Sequence, residues 1–266
     1  MQIGSLPAGT NANATFTFTL PTLAPGTPLA ITQTLIDSSG TLSATNPLLT
    51  ETIGYISPSQ VLTLQAAGME IGNHTMDHCM LETLLADPNS ATIPRSQSGA
   101  ACPANGPLPA PVTASEEIDG ARTALLGIGA APVDTFAYPY GSGAGNPAIE
   151  QLIADAGMIS ARSVTAGYNT PATDPFSLNS YLVDATITDS TTVKQWIDYA
   201  SLNHVWLILT FHQIETDAAT IASKGEIDGT TTAILQEIVN YLHDQQAAGN
   251  IIVDTVHDVM THYINH

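Results

Sequence analysis

The sequence is short of positive charge. Five of its 266 residues are Lys or Arg against 24 Asp and Glu, which gives a formal net charge of −19. A surface of that sign repels phosphate backbones and excludes nucleic acid as a partner. It also disfavours anionic membranes and strongly anionic polymers, so a neutral polymer suits it better. No apolar run approaches the ~18 residues that a membrane-spanning helix needs. No charged n-region followed by an apolar h-region opens the sequence, and the signal peptide of a secreted protein is expected to lie outside it. No G-x-S-x-G occurs, which argues against a hydrolase built on that nucleophilic serine. There is no internal repeat and no linker, so one domain over residues 1–266 is expected. Cysteine is scarce as well. Cys79 and Cys102 allow one disulfide or two thiols. A disulfide tying down the loop that holds Cys102 is the favoured reading and implies an oxidising compartment. Cys79 directly follows His78, so a thiolate ligand is the alternative.

What is present is ample for a core, since 44% of the residues are apolar. Residues 28–36 are rich in β-branched side chains and predict a strand that turns at Asp37-Ser38-Ser39-Gly40. Residues 41–56 read as a loop. Ser57-Pro58 opens a helix, with Ser as N-cap and Pro in the first turn, and Gly68 closes it. Residues 70–72 read as a short strand. Residues 87–112, rich in Pro, Gly and Ser, read as a long surface loop and a wall of a substrate groove. Thr113-Ala114-Ser115-Glu116 is a capping box for a helix to about Leu126. Strand 133–137, helix 147–157, strand 158–164, strand 181–187 and helix 191–200 follow. The apolar run 205–211 suits a strand buried on both faces. A helix over 230–248, a last strand at 251–256 and a helical tail complete the chain. Alternating strands and helices make the class α/β with a largely parallel sheet.

The stretch Glu70-Ile71-Gly72-Asn73-His74-Thr75-Met76-Asp77-His78 carries the chemistry. On a helical turn, residues four apart share a face, about 5–6 Å apart at Cβ. His74 and His78 could then fill two corners of a tetrahedral Zn²⁺ site. The ordinary reading is two exposed histidines. Against it stand two further pieces expected at strand ends, Tyr138-Pro139-Tyr140-Gly141 and His212 after the apolar run. Trp196 and Trp206 read as core. Asn13-Ala14-Thr15 and Asn73-His74-Thr75 match the glycosylation acceptor pattern, which is common by chance.

These pieces, in this order, resemble the NodB-homology polysaccharide deacetylases (carbohydrate esterase family 4). The resemblance runs from about Leu20 to Val259. It implies a distorted, incomplete (β/α) barrel with its site at the C-terminal strand ends. It implies a secreted, extracellular hydrolase that removes N- or O-linked acetyl groups from a polysaccharide or oligosaccharide with a divalent metal, zinc first among them. His74 and His78 would be metal ligands, His212 the general acid, and Tyr140 the donor of a main-chain N–H to the oxyanion.

Two departures stand out. The family's T-F-D-D-G motif, which supplies the base and a third ligand, falls on Ser5-Leu6-Pro7-Ala8-Gly9. Pro7 and Ala8 occupy the places of the two carboxylates. The arginine of the family's third motif falls on Ala137. The expectations are therefore a deacetylase whose base is supplied elsewhere, with Asp77, Asp37 and Asp184 as candidates, or an impaired member that binds carbohydrate or is structural.

Overall fold

A computed structural model describes residues 56–86 and 113–264, together with the main chain of 31–36 and 42–49. The first six residues, Pro7 and Ala8, Asn13, Asp37, and the expected loop at 87–112 with Cys102 lie outside the described residues. The chain divides into two compact units, Met1–Ala66 and Ala67–His266.

In the first unit, β1 (Ile31–Ile36) pairs antiparallel with β2 (Leu42–Leu49). The sequence predicts β1 but reads β2 as loop, because residues 41–56 show no clear period, and Pro47 sits inside the strand. A proline cannot donate to a ladder and demotes a run to an edge or to coil. Helix α1 (Pro58–Ala66) starts where expected. The Gln60 N–H donates to Ser57 Oγ at 3.3 Å, and the Ser57 N–H donates to Gln60 Oε1 at 2.8 Å, a reciprocal cap.

The second unit is a row of parallel pairings with helices between them. Helix α2 (Leu81–Ala86) precedes α3 (Ala114–Gly127), which begins at the predicted capping box of Thr113 and Glu116. Strand β3 (Thr135–Ala137) leads through a tight turn to α4 (Pro147–Asp155), and the chain returns as β4 (Ser160–Arg162), parallel to β3. Asn146 caps α4 by accepting the Ala148 N–H at 3.1 Å. Leu178 bridges to Arg162, and β5 (Tyr181–Leu182), three residues on, pairs parallel with β6 (Leu209–Thr210) after α5 (Thr191–Asn203). The segment 178–182 thus links β4 to β6. A further parallel pair, β7 (Ile214–Glu215) and β8 (Thr230–Thr231), brackets α6 (Ala218–Lys224) and runs into α7 (Thr232–Ala247). A short helix α8 (Val256–Asp258) and a π-helical turn, Val259–Ile264, follow. The fold is α/β, and among the described residues the ladders do not close into a ring.

Separate buried clusters hold these layers. Leu81 and Leu84 of α2, Ile118 of α3, and Ile149 and Ile153 of α4 bury against Phe136 and Tyr138. Val193 and Ile197 of α5 meet Val183 and Ile238 of α7. Each fully buried aliphatic side chain contributes roughly 1.5–3 kcal/mol of transfer free energy. The ladders are shorter than the apolar runs predict. Of residues 205–211, Leu209 and Thr210 form the strand and Trp206 adds a single bridge to Asn169. Residues 251–255 form no ladder, and Ile252 is 67% exposed. An apolar run signals burial, whereas a strand also needs a partner edge, and no described edge meets these residues.

Candidate active site

Asn73 seats the histidine segment on the sheet. Its N–H donates to Thr135 O at 2.8 Å and its carbonyl accepts the Ala137 N–H at 2.9 Å. The segment therefore lies beside β3 as one more parallel pairing, although no strand extends over 70–72. The Asn73 side chain is buried and satisfied at both ends. Its Nδ2 donates to Ile118 O at 2.9 Å, and its Oδ1 accepts the Thr75 N–H at 3.0 Å. That burial removes Asn73 as a glycan acceptor in the folded chain.

The two histidines do not meet on a helix. Thr75 and His78 both have left-handed backbones, with φ of 65° and 58°. Each such residue costs of order 1–3 kcal/mol unless its surroundings hold it there. Helix α3 does the holding. The Met76 N–H donates to Glu117 O at 3.1 Å, and the Asp77 N–H donates to Glu117 Oε2 at 2.9 Å. Glu117 is buried, and that burial raises its pKa above the ordinary glutamate value, against the opposing pull of the Asp77 N–H. The result is two imidazoles with ring centres 4.6 Å apart at an interplanar angle of 76°.

The His74 ring is fixed by the end of β3. Its Nδ1 lies 2.7 Å from the Ala137 carbonyl. A carbonyl can only accept, so Nδ1 carries the hydrogen and Nε2 keeps its lone pair. Desolvation of the inner edge of the ring lowers the His74 pKa, tempered by the exposed outer edge and opposed by the Ala137 hydrogen bond. The charges of Arg162 and His212 lower it further. His212, exposed after β6, is thus close enough to His74 to influence it electrostatically.

Tyr140 stands on the other side of His78, with ring centres 4.7 Å apart. It occupies the apex of the turn Pro139–Gly141, at φ 56° and ψ 12°. The turn's own bonds run from the Gly141 N–H to Tyr138 O and from the Ser142 N–H to Pro139 O, leaving the Tyr140 amide out of the set. Gly141 has φ +73°, and a Cβ there would lie 2.6 Å from Val164 Cγ2. No other residue fits that close approach without displacement.

Three of the residues singled out by sequence, His74, His78 and Tyr140, therefore gather around one spot, with His212 near enough to act on His74, and neither of the described carboxylate candidates, Asp77 and Asp184, completes it. Among the described residues no group of three or more His, Cys, Asp or Glu is placed to hold a metal. Asp77 is tied by its amide to α3, and Asp184 Oδ1 accepts both the N–H and the hydroxyl of Thr186, at 2.9 and 2.6 Å. Cys79 is fully buried beside Leu81 and Leu84, away from a ligand's role. The donor set on hand is two neutral imidazoles, one with its tautomer fixed. That fits a borderline-soft divalent cation with further positions open. A mostly apolar cavity of about 660 Å³, lined by residues such as Trp206, Ile208 and Ile251, includes none of these histidines.

Sequence reading missed two residues. Glu117 lies in a helix that looks amphipathic, and nothing local marks it as buried. Arg162 lies on β4 in register with Ala137, the position where the resemblance places an arginine. Only the strand pairing reveals that neighbour.

A family model described as polysaccharide deacetylase matches residues 24–160. The chain belongs to the polysaccharide deacetylase family. The matched segment holds His74, His78 and Tyr140 of this deacetylase-family chain, and His212 lies beyond it. No curated protein and no solved structure matches the chain.

Proposed function

We propose that the chain removes acetyl groups, N- or O-linked, from a polysaccharide or oligosaccharide outside the cell. It would use a divalent metal held by His74 and His78, with zinc first among the candidates. The observation that carries this reading is the pair of imidazoles 4.6 Å apart, inside the segment that matches the family. The metal, when bound, polarises the acetyl carbonyl and activates water. Burial favours the neutral form of His74 over the opposing pull of the Ala137 carbonyl, which fixes the hydrogen on Nδ1 and leaves Nε2 available. The Tyr140 main-chain N–H donates to the acetyl oxygen as it gains negative charge. His212, in its protonated form, gives a proton to the leaving amine or alkoxide. The general base is unassigned.

The rest of the reading follows the same line. The sequential parallel pairings of the second unit support a distorted, incomplete (β/α) barrel, and one domain over residues 1–266 is part of the same proposal. A disulfide between Cys79 and Cys102 is part of the proposal, supported by the absence of a free cysteine among the described residues. A second reading, an impaired member that binds carbohydrate without cleaving it, is favoured by one observation. Among the described residues no third acidic ligand joins the histidines.

Metal content of the purified protein, with His74→Ala as control, separates the two. The deacetylase reading expects near-stoichiometric metal, lost in the variant, and acetate release from an aryl acetate that a chelator abolishes. Retention on insoluble polysaccharide with no metal and no acetate released would overturn it.

A further inference from the structure

Basic residues are so few that the surroundings of each described one can be compared. Arg122 Nε donates to Val133 O at 2.9 Å. Lys194 lies 3.5 Å from Glu237, and Lys224 lies 2.8 Å from Glu215. Arg162 is different. It is partly buried on β4, and no described residue gives its guanidinium a hydrogen bond or an ion pair. A partly buried cation with no anion opposite it is costly unless something else supplies the charge.

Its position says what that something is. Arg162 pairs in register with Ala137, whose carbonyl holds His74, and the Arg162 carbonyl accepts the Tyr138 N–H at 3.1 Å. The residue therefore borders both the histidine pair and the Tyr140 turn. A divalent cation on two neutral imidazoles beside a guanidinium gives a strongly positive site. Among the described residues no carboxylate cluster balances it. An anion that enters the site would supply the balancing charge.

We infer that Arg162 is the carboxylate receptor of the site and holds the acetate that the reaction produces. This rests on the deacetylase reading above. For an N-linked group, a water oxygen bonds to the acetyl carbon, the carbon–nitrogen bond breaks, the nitrogen leaves as the protonated amine, and the acetyl group leaves as acetate. That product carries one negative charge in a planar two-oxygen fork. The guanidinium fork matches such a group with two parallel N–H donors, which an ammonium cannot reproduce. Acetate, and small carboxylates of the same shape, should therefore bind and inhibit competitively.

The test is titration of metal-loaded wild type, Arg162→Gln and Arg162→Lys with ¹³C-labelled sodium acetate, followed by NMR, with metal content measured in each and sodium chloride as the control anion. The expected result is acetate binding by the wild type that chloride does not displace. Arg162→Gln should weaken it at least about tenfold, which corresponds to about 1.4 kcal/mol. Arg162→Lys, with the charge kept and the fork lost, should fall between them. Acetate bound as tightly by Arg162→Gln as by the wild type, or displaced equally by chloride, overturns the inference. If Arg162→Gln loses its metal, Arg162→Lys decides, and wild-type acetate affinity in that variant also overturns it. Acetate held through Arg162 by a protein that releases none from acetylated substrates would sink the deacetylase reading and leave the receptor standing.

Discussion

Asn73 is the residue on which the site turns. One side chain spans from Ile118 on α3 to the Thr75 amide, while its main chain stitches the histidine loop to β3. Asn73→Ala strips the Thr75 amide of its acceptor and the Ile118 carbonyl of its second donor, at about 1–3 kcal/mol for the amide left unpaired. Each kcal/mol should lower the melting temperature by roughly 2–4 °C in a chain of this size. Because Asn73 orients the loop that carries both imidazoles, metal affinity should also fall by roughly 10–100-fold. Calorimetry with and without zinc reads both effects, and a variant that melts like the wild type and binds metal equally would refute the account. At this scale the sequence was informative about chemistry and silent about support. His74, His78, Tyr140 and His212 are legible because their residue types announce what they can do. Asn73 and Glu117 owe their roles to burial and to partners 45 and 40 residues away, and no local pattern carries that information.

Among the elements, two junctions govern how the site is presented. The first is the Pro139–Gly141 turn. Gly141→Ala forces a Cβ into Val164 at a left-handed φ, and should cost about 1 kcal/mol or more. Since the turn holds Tyr140 and no ligand, kcat should drop while metal content stays at the wild-type level; loss of metal in parallel would contradict the separation of roles. The second junction is α3 against the histidine loop, through Glu117. Its folded pKa is raised above the unfolded value by burial. Below the unfolded value both states hold the proton and nothing is lost. As pH rises past it, the unfolded chain ionises first and stability declines until the folded group also ionises. Glu117→Gln keeps an oxygen for the Asp77 N–H without that penalty. The melting temperature of the variant, minus that of the wild type, should therefore grow as pH rises above the ordinary glutamate value. A difference that does not change with pH would show that the carboxyl is not strained by burial. Helix ends were well read beforehand, because Ser57, Thr113 and Asn146 cap in ways visible in a few residues. Helices α2 and α6 were missed, being too short to display a period, and the strands came out shorter because apolar runs mark burial and not pairing.

The whole molecule is governed by its charge. With a net charge of −19, like-charge repulsion opposes the compact state. Raising sodium chloride from about 20 mM to about 500 mM shortens the screening length well below the size of the chain. The melting temperature should rise with it, and a flat or falling trend would mean that the acidic groups are already balanced locally. The α/β class was legible from the alternation of patterns, whereas the order of pairings was not, because Leu178 joins β4 to the β5 segment through a single bridge. One last consequence comes from the bridge between Asn73 and Phe136. The β3–α4–β4 unit is assembled from neighbours in sequence, and such local contacts form early. The histidine loop reaches β3 across 63 residues, as the His74–Ala137 hydrogen bond shows. Closing a loop of that length is entropically costly before any contact is gained. The histidine-bearing face should be the last part of this unit to fold and the first to open. In hydrogen exchange the Asn73 amide should lose protection ahead of the β4 amides, and bound metal, by clamping the late-arriving loop, should slow unfolding more than it speeds folding.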